Sequence, residues 1–136
     1  MSELIHSDTA KKYGIDNMPY NAEVLDNLLL LITNVLQPLR DYVNRPIIIN
    51  SGYRSYSLNA KVGGVINSQH LTGQAADFTI KGLTIDKAYD TIKKTNIKYT
   101  QLIKECNQWI HISYNPYNLK CENLVYNGKT YVKDKT

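Results

Sequence analysis

The chain of 136 residues has little phenylalanine (one), one tryptophan, two cysteines and no long apolar run; the longest, Leu28 to Ile32, continues into polar Thr33 and Asn34. A membrane span needs about 20 apolar residues, so membrane insertion is excluded on length. Two cysteines are too few for a disulfide framework, and Cys106 and Cys121 lack the Cys-x-x-Cys spacing of a metal site. They read as free thiols of a cytosolic product, although one bridge is open to them in an oxidising compartment. Met1 to His6 has neither a basic start nor an apolar core and does not read as a secretory signal. Synthesis in a cytoplasm is expected, with export dependent on another protein.

What is present is ordinary in bulk and particular in pattern. With 43% hydrophobic and 21% charged residues, the chain reads as one globular domain over 1–136 and as a monomer. Net charge is +4, with lysines scattered except near the end, at Lys129, Lys133 and Lys135. Such a balance suits an anionic surface such as a cell wall, but a solvated basic surface explains it as well, and no nucleic-acid partner is expected. Eleven tyrosines accompany the single phenylalanine. An AT-rich coding sequence produces the same bias, so the tyrosines carry no functional reading.

Residues 1–20 form a polar leader, with His6 at its surface. Asn21 is a plausible N-cap for a helix in which Leu25, Leu28, Leu29, Ile32, Leu36 and Leu39 recur on one face. Pro38 is expected to kink its last turn. Ile47 to Ile49 make a strand leading into Ser51-Gly-Tyr-Arg54. Ser55 or Ser57 caps a short helix through Val62, and Gly63-Gly64 breaks it. Residues 75–80 make a strand, Thr84 caps a helix to about Thr95, and 100–105 and 109–114 are strands around the turn Cys106-Asn107-Gln108. Asn127-Gly128 signals a final hairpin over 123–133, whose expected role is to finish the sheet. The class is α+β: a largely antiparallel sheet with helices packed on one face and a site on the other.

Strand alternation makes that site testable. Ala76, Phe78 and Ile80 point to the core, which turns Asp77 to the opposite face. Ile110 and Ile112 do the same, turning Trp109 and His111 outward with Asp77. Glu105 lies across the turn from Trp109, so it is the diagonal neighbour of His111, ~7–8 Å away at the backbone. His70, in the loop that feeds this face, joins them. His70, Asp77 and His111 are the ligand types of one zinc ion with a coordination position left open, which marks a catalytic site rather than a structural one. Taken singly, each has a plainer reading. His70 would be a loop surface residue, His111 a satisfied core-edge histidine and Glu105 a solvated acid. Asp77 in an apolar strand needs a partner in any case.

Ser51-Gly-Tyr-Arg54, Asn59, Val62-Gly-Gly64, Ser68-Gln-His70, Gly73, Ala75-Ala-Asp77 and Trp109-Ile-His111 together resemble the zinc D-Ala-D-Ala carboxypeptidases. The resemblance is to the small single-domain form found among phage endolysins and bacterial wall hydrolases. It covers roughly residues 7–114, including Gly14-Ile-Asp-Asn17 and Leu36-Gln-Pro-Leu-Arg40. It implies zinc held by His70, Asp77 and His111, and a peptidase acting on peptidoglycan peptides, for which a phage lysin is the expected setting and a bacterial wall enzyme the alternative. It implies further that Arg54 binds or polarises substrate. Gln69 and Ser68 become candidates for substrate hydrogen bonds or for shaping the loop, and Trp109 for a cleft wall. The same fold occurs in the signalling domain of hedgehog proteins, so fold alone does not establish hydrolysis.

The chain departs from the family at one point. Better-known branches have an acid three residues before the last zinc histidine, where this chain has Gln108, which cannot accept a proton from water. Glu105 is the nearest acid and is the expected general base. A zinc domain that binds wall or a partner without catalysis is the alternative, and it would need neither Glu105 nor Arg54. A thiol peptidase pairing Cys106 with His111 is disfavoured, because the neighbouring Glu105 anion raises a thiol pKa.

Overall fold

A computed structural model describes residues 1–134. Six strands form one sheet in the order β1-β2-β4-β3-β5-β6, with β1 Ile47–Ser51, β2 Ala75–Ile80, β3 Gln101–Glu105, β4 Trp109–Ser113, β5 Glu122–Tyr126 and β6 Tyr131–Lys133. All pairs are antiparallel except β3 with β5, which run parallel. The helices are α1 Ser2–Ile5, α2 Asp8–Tyr13, α3 Ala22–Leu31, α4 Gln37–Val43, α5 Tyr56–Lys61 and α6 Ile85–Lys94. None of them is long and apolar enough to cross a membrane. The α+β class and the largely antiparallel sheet are as the sequence suggests.

Period-two alternation decides which sheet face is core. Ala76, Phe78, Ile80, Leu102, Ile110 and Ile112 are buried together with Leu28, Leu31, Val35 and Leu39 of the α3–α4 stretch and Tyr89 and Ile92 of α6. Each large apolar side chain removed from water in this way contributes roughly 1.5–3 kcal/mol before chain entropy is subtracted. The opposite face carries Asp77 and His111, which pair directly across β2 and β4.

The caps form as their residue types dictate. The Asn21 side chain accepts from the Glu23 N–H, Ser55 from Leu58 and Thr84 from Lys87. Of the two serines offered for α5, Ser55 is therefore the cap. The buried face of α3 differs from expectation, since Leu25 and Leu29 are 37% and 52% exposed while Leu31 and Val35 are buried. Ile32–Leu36 winds as a π-helix, with the Gln37 N–H donating to the Ile32 carbonyl, and this extra residue shifts the phase. Pro38 follows one residue later; it has no N–H for the Asn34 carbonyl and its ring crowds that group, so the irregularity lies in the turn before the proline.

The polar leader contains α1 and α2. Leu4 is buried, its carbonyl accepts from the Tyr53 N–H at 2.7 Å, and buried Asn17 bonds the Ile5 and Tyr53 carbonyls and the Ser55 N–H. His6 is exposed and pairs with Asp8 at 2.9 Å. At the far edge, Lys120 and Lys133 bracket Glu122 at 3.5 and 3.7 Å, so part of the basic tail is matched by an acid. Lys135 lies outside the described residues.

Candidate metal centre and cleft

A bulge in β1 begins the construction of the site. Ile49 is opposite Phe78 and Ser51 is opposite Asp77, so Asn50 is the extra residue and Ser51 is turned onto the Asp77 face. From there Ser51 Oγ accepts from Arg54 Nε at 3.2 Å, and Asn59 Oδ1 accepts from Nη1 at 3.0 Å. Arg54 Nη2 is left 3.8 Å from Asp77 Oδ2. Asn59 also donates to the Val65 carbonyl, which ties α5 to the loop beyond it. A Cβ at Gly64 would overlap Asn59 Oδ1 and Arg54 Nη1, so a side chain there would displace the Arg54–Asn59 pair.

The same loop delivers His70. Its N–H donates to Ser68 Oγ, its carbonyl accepts from the Arg54 N–H, and Gln69 is tied through its carbonyl to the Gln74 N–H. The ring is 3% exposed, with Nδ1 2.7 Å from the Gly52 carbonyl and Nε2 3.2 Å from Asp77 Oδ2. His111 Nδ1 lies 2.9 Å from Asp77 Oδ1, and the two imidazole centroids are 5.4 Å apart.

One ligand atom from each of His70, Asp77 and His111 falls within 4.8 Å of the others. Two imidazole nitrogens and one carboxylate oxygen at that spacing suit a single zinc ion in number and in chemistry. Burial pushes the Asp77 carboxyl up, but hydrogen bonds from His111 and His70 and the charge on both rings outweigh it. The carboxyl is held well below its ordinary range and is a ready anionic ligand.

Glu105 occupies the expected register, opposite Trp109, while Ile103 is opposite His111. Half-buried, its carboxyl is raised by burial, drawn back in part by His111 and raised again by Asp77. Gln108 sits exposed in the turn, its N–H donating to the Glu105 carbonyl. Burial lowers the Arg54 pKa and Asp77 offsets part of that, but a guanidinium remains a cation. Ser68 spends its hydroxyl on the His70 N–H, a loop-shaping bond. Trp109 is half-buried at the start of β4. Two supports were not identified from sequence as site residues. Asn17 and Asn59 were visible only as parts of motif blocks, and their amides hold Ser55 and Arg54.

The fold and the convergent His/Asp/His group define a small α+β domain with a candidate zinc centre. The chain belongs to the peptidase M15 family, whose model matches residues 1–113. A stretch of 43 residues is 46% identical to the zinc D-Ala-D-Ala carboxypeptidase of Streptomyces albus G. That stretch is 31% of this chain and spans 17% of the relative's length.

Proposed function

We propose that this chain is, over 1–136, a single zinc peptidase domain that cleaves peptide bonds in peptidoglycan stem peptides or their cross-links. The observation that carries the reading is one sheet face bearing Asp77 and His111, met by His70 from the loop before β2, with Arg54 to one side and half-buried Glu105 to the other. When bound, zinc supplies a Lewis acid for the scissile carbonyl and for water. Glu105 accepts a proton from the attacking water and returns it to the nitrogen of the leaving amine. Its raised pKa suits both halves of that transfer, because a very weak base would not take the proton and a very strong one would not release it. The N–H groups of Arg54 not engaged by Ser51 and Asn59 hydrogen-bond the carbonyl oxygen as it becomes negative, or hold a substrate carboxylate. Trp109 walls the cleft, and Gln69 offers its amide to the substrate.

A domain that only bound wall would need neither the half-buried arginine nor a carboxylate raised beside the histidines. The setting of a phage lysin, a monomer acting on the wall after release from the host cytoplasm, rests on the resemblance to small single-domain wall hydrolases. The test is mass spectrometry of muropeptides after incubation with the zinc-loaded protein, with and without chelator. Chelator-sensitive products shortened at a stem peptide bond are expected. No cleavage of any muropeptide by the zinc-loaded protein would overturn the reading.

A further inference from the structure

Two tyrosines of the terminal hairpin stand on the site face and have no part in the scheme above. Pairing register assigns the face, because residues directly opposite each other share it. Trp109 is opposite Glu105, Glu105 is opposite Tyr126, and Tyr126 is opposite Tyr131. This row runs beside the row of Asp77, His111, Ile103 and Leu124. Ile103 is only 5% exposed yet lies outside the core cluster, which fits its place on this face as an apolar floor. The Tyr126 and Tyr131 rings pack 4.5 Å apart at 32°, and Tyr131 remains 56% exposed. Burial, and after it the charges of Glu105, Tyr126 and Asp77, raise the Tyr131 phenol, which keeps it neutral. Both tyrosines lie beyond the residues that match the family model.

A cross-strand aromatic pair stabilises a hairpin by roughly 0.2–1 kcal/mol wherever it sits, and that alone would leave the pair structural. Its position adds something more. Strands are spaced ~4.8 Å apart, so Tyr126 is ~10 Å and Tyr131 ~14 Å across the sheet from the His111 strand. An extended peptide advances ~3.3 Å per residue, which brings its third to fifth residue from the scissile bond over the pair.

Building on the peptidase reading, we propose that Tyr126 and Tyr131 form a distal subsite that binds an extended peptide about four residues from the scissile bond. The preferred substrate is then a long stem or cross-linked peptide rather than a terminal dipeptide. Ile103 and Leu124 floor the path between, and the exposed Tyr131 ring offers an aromatic face to the chain.

The test compares an end-blocked D-Ala-D-Ala dipeptide with peptides that extend it by four residues on one side or the other. Tyr131→Ala is expected to raise KM for one extended peptide by tenfold or more, a loss at least tenfold larger than for the dipeptide. Tyr131→Phe should recover most of it, because the ring face is retained. Calorimetric titration of the same peptides into metal-free protein supplies a readout without turnover, with a tenfold weaker extended complex expected for Tyr131→Ala. Equal losses on dipeptide and extended peptide, or an extended complex as tight in Tyr131→Ala as in wild type, would overturn the subsite. If wild type cleaves none of the peptides, the peptidase reading falls and calorimetry still decides the subsite, with no binding to wild type counting against it. A cooperative melting transition and zinc binding equal to wild type show that the variants are folded.

Discussion

The Nδ1 of His70 lies 2.7 Å from the carbonyl oxygen of Gly52, a group that can only accept. Nδ1 must therefore carry the proton, which leaves Nε2, the atom turned toward Asp77, to present its lone pair to a metal once the ring is neutral. The backbone at Gly52 thus chooses the tautomer that a metal needs. Gly52 is itself confined, because a Cβ there would run into the backbone of Leu4, whose carbonyl accepts from the Tyr53 N–H.

Gly52→Ala is accordingly expected to weaken zinc binding without touching a ligand. Making room for the methyl displaces α1 or the Gly52 carbonyl, and loss of such a support lowers metal affinity by about 10–100-fold. Competition with a chromophoric chelator measures the loss. Affinity equal to wild type would show that the Gly52 carbonyl does not orient His70.

Much of this site is legible in the sequence, for a specific reason. Apolar residues on both sides of Asp77 and His111 fix the face of a half-buried strand, and a three-residue turn fixes Glu105 opposite Trp109. Helical phase was less legible. Leu28 to Ile32 is apolar all round, so no local pattern distinguishes exposed Leu29 from buried Leu31 ahead of the π turn. Contacts that depend on distant partners were not legible at all. Leu4 is buried through its meeting with Gly52, and Tyr126 reaches Glu105 only because β5 pairs in parallel with β3 after the excursion through 114–121.

Glu105→Gln separates the base from the metal. Zinc content should be unchanged while turnover falls by about 10²–10⁴-fold, the usual contribution of a positioned base. The wild-type rate should decline on the acid side with a midpoint above 4.5, because the carboxylate must be ionised and its pKa is raised from that value. Stability has the opposite sign. A carboxyl with a raised native pKa favours the fold when protonated, and that contribution is lost as pH rises through the native pKa. Glu105→Gln should therefore melt higher than wild type at pH 7 and close to it at pH 4, which paired thermal melts will show. Full turnover in Glu105→Gln would remove Glu105 as the base.

Arg54 and Asn59 should behave as a unit. Arg54→Ala removes the donor for the developing negative charge, a loss of about 10²–10³-fold in kcat. Asn59→Ala leaves the guanidinium in place but frees Nη1, and a smaller loss of about 10–100-fold is expected. Arg54→Lys should not rescue, since an ammonium cannot bond Ser51 and Asn59 while also facing the cleft. Steady-state kinetics on the double variant decide the matter. Fully additive losses would mean that Asn59 does not act through Arg54.

Removal of metal should abolish turnover and soften the fold, whereas blocking thiols should do neither. The ligands come from the loop before β2, from β2 and from β4, so a cation bound only by the native state stabilises it by about 4 kcal/mol at a thousandfold excess over Kd. Chelation should lower the melting temperature reversibly, with zinc restoring both melting and activity. The exposed Cys106 occupies the left-handed region at φ 52°, where a non-glycine residue is strained by about 1–2 kcal/mol. Cys106→Gly relieves that strain while deleting the thiol, so it should remain active and melt no lower than wild type. An inactive but folded and zinc-loaded Cys106→Gly would instead assign the chemistry to the thiol, with His111 as its base.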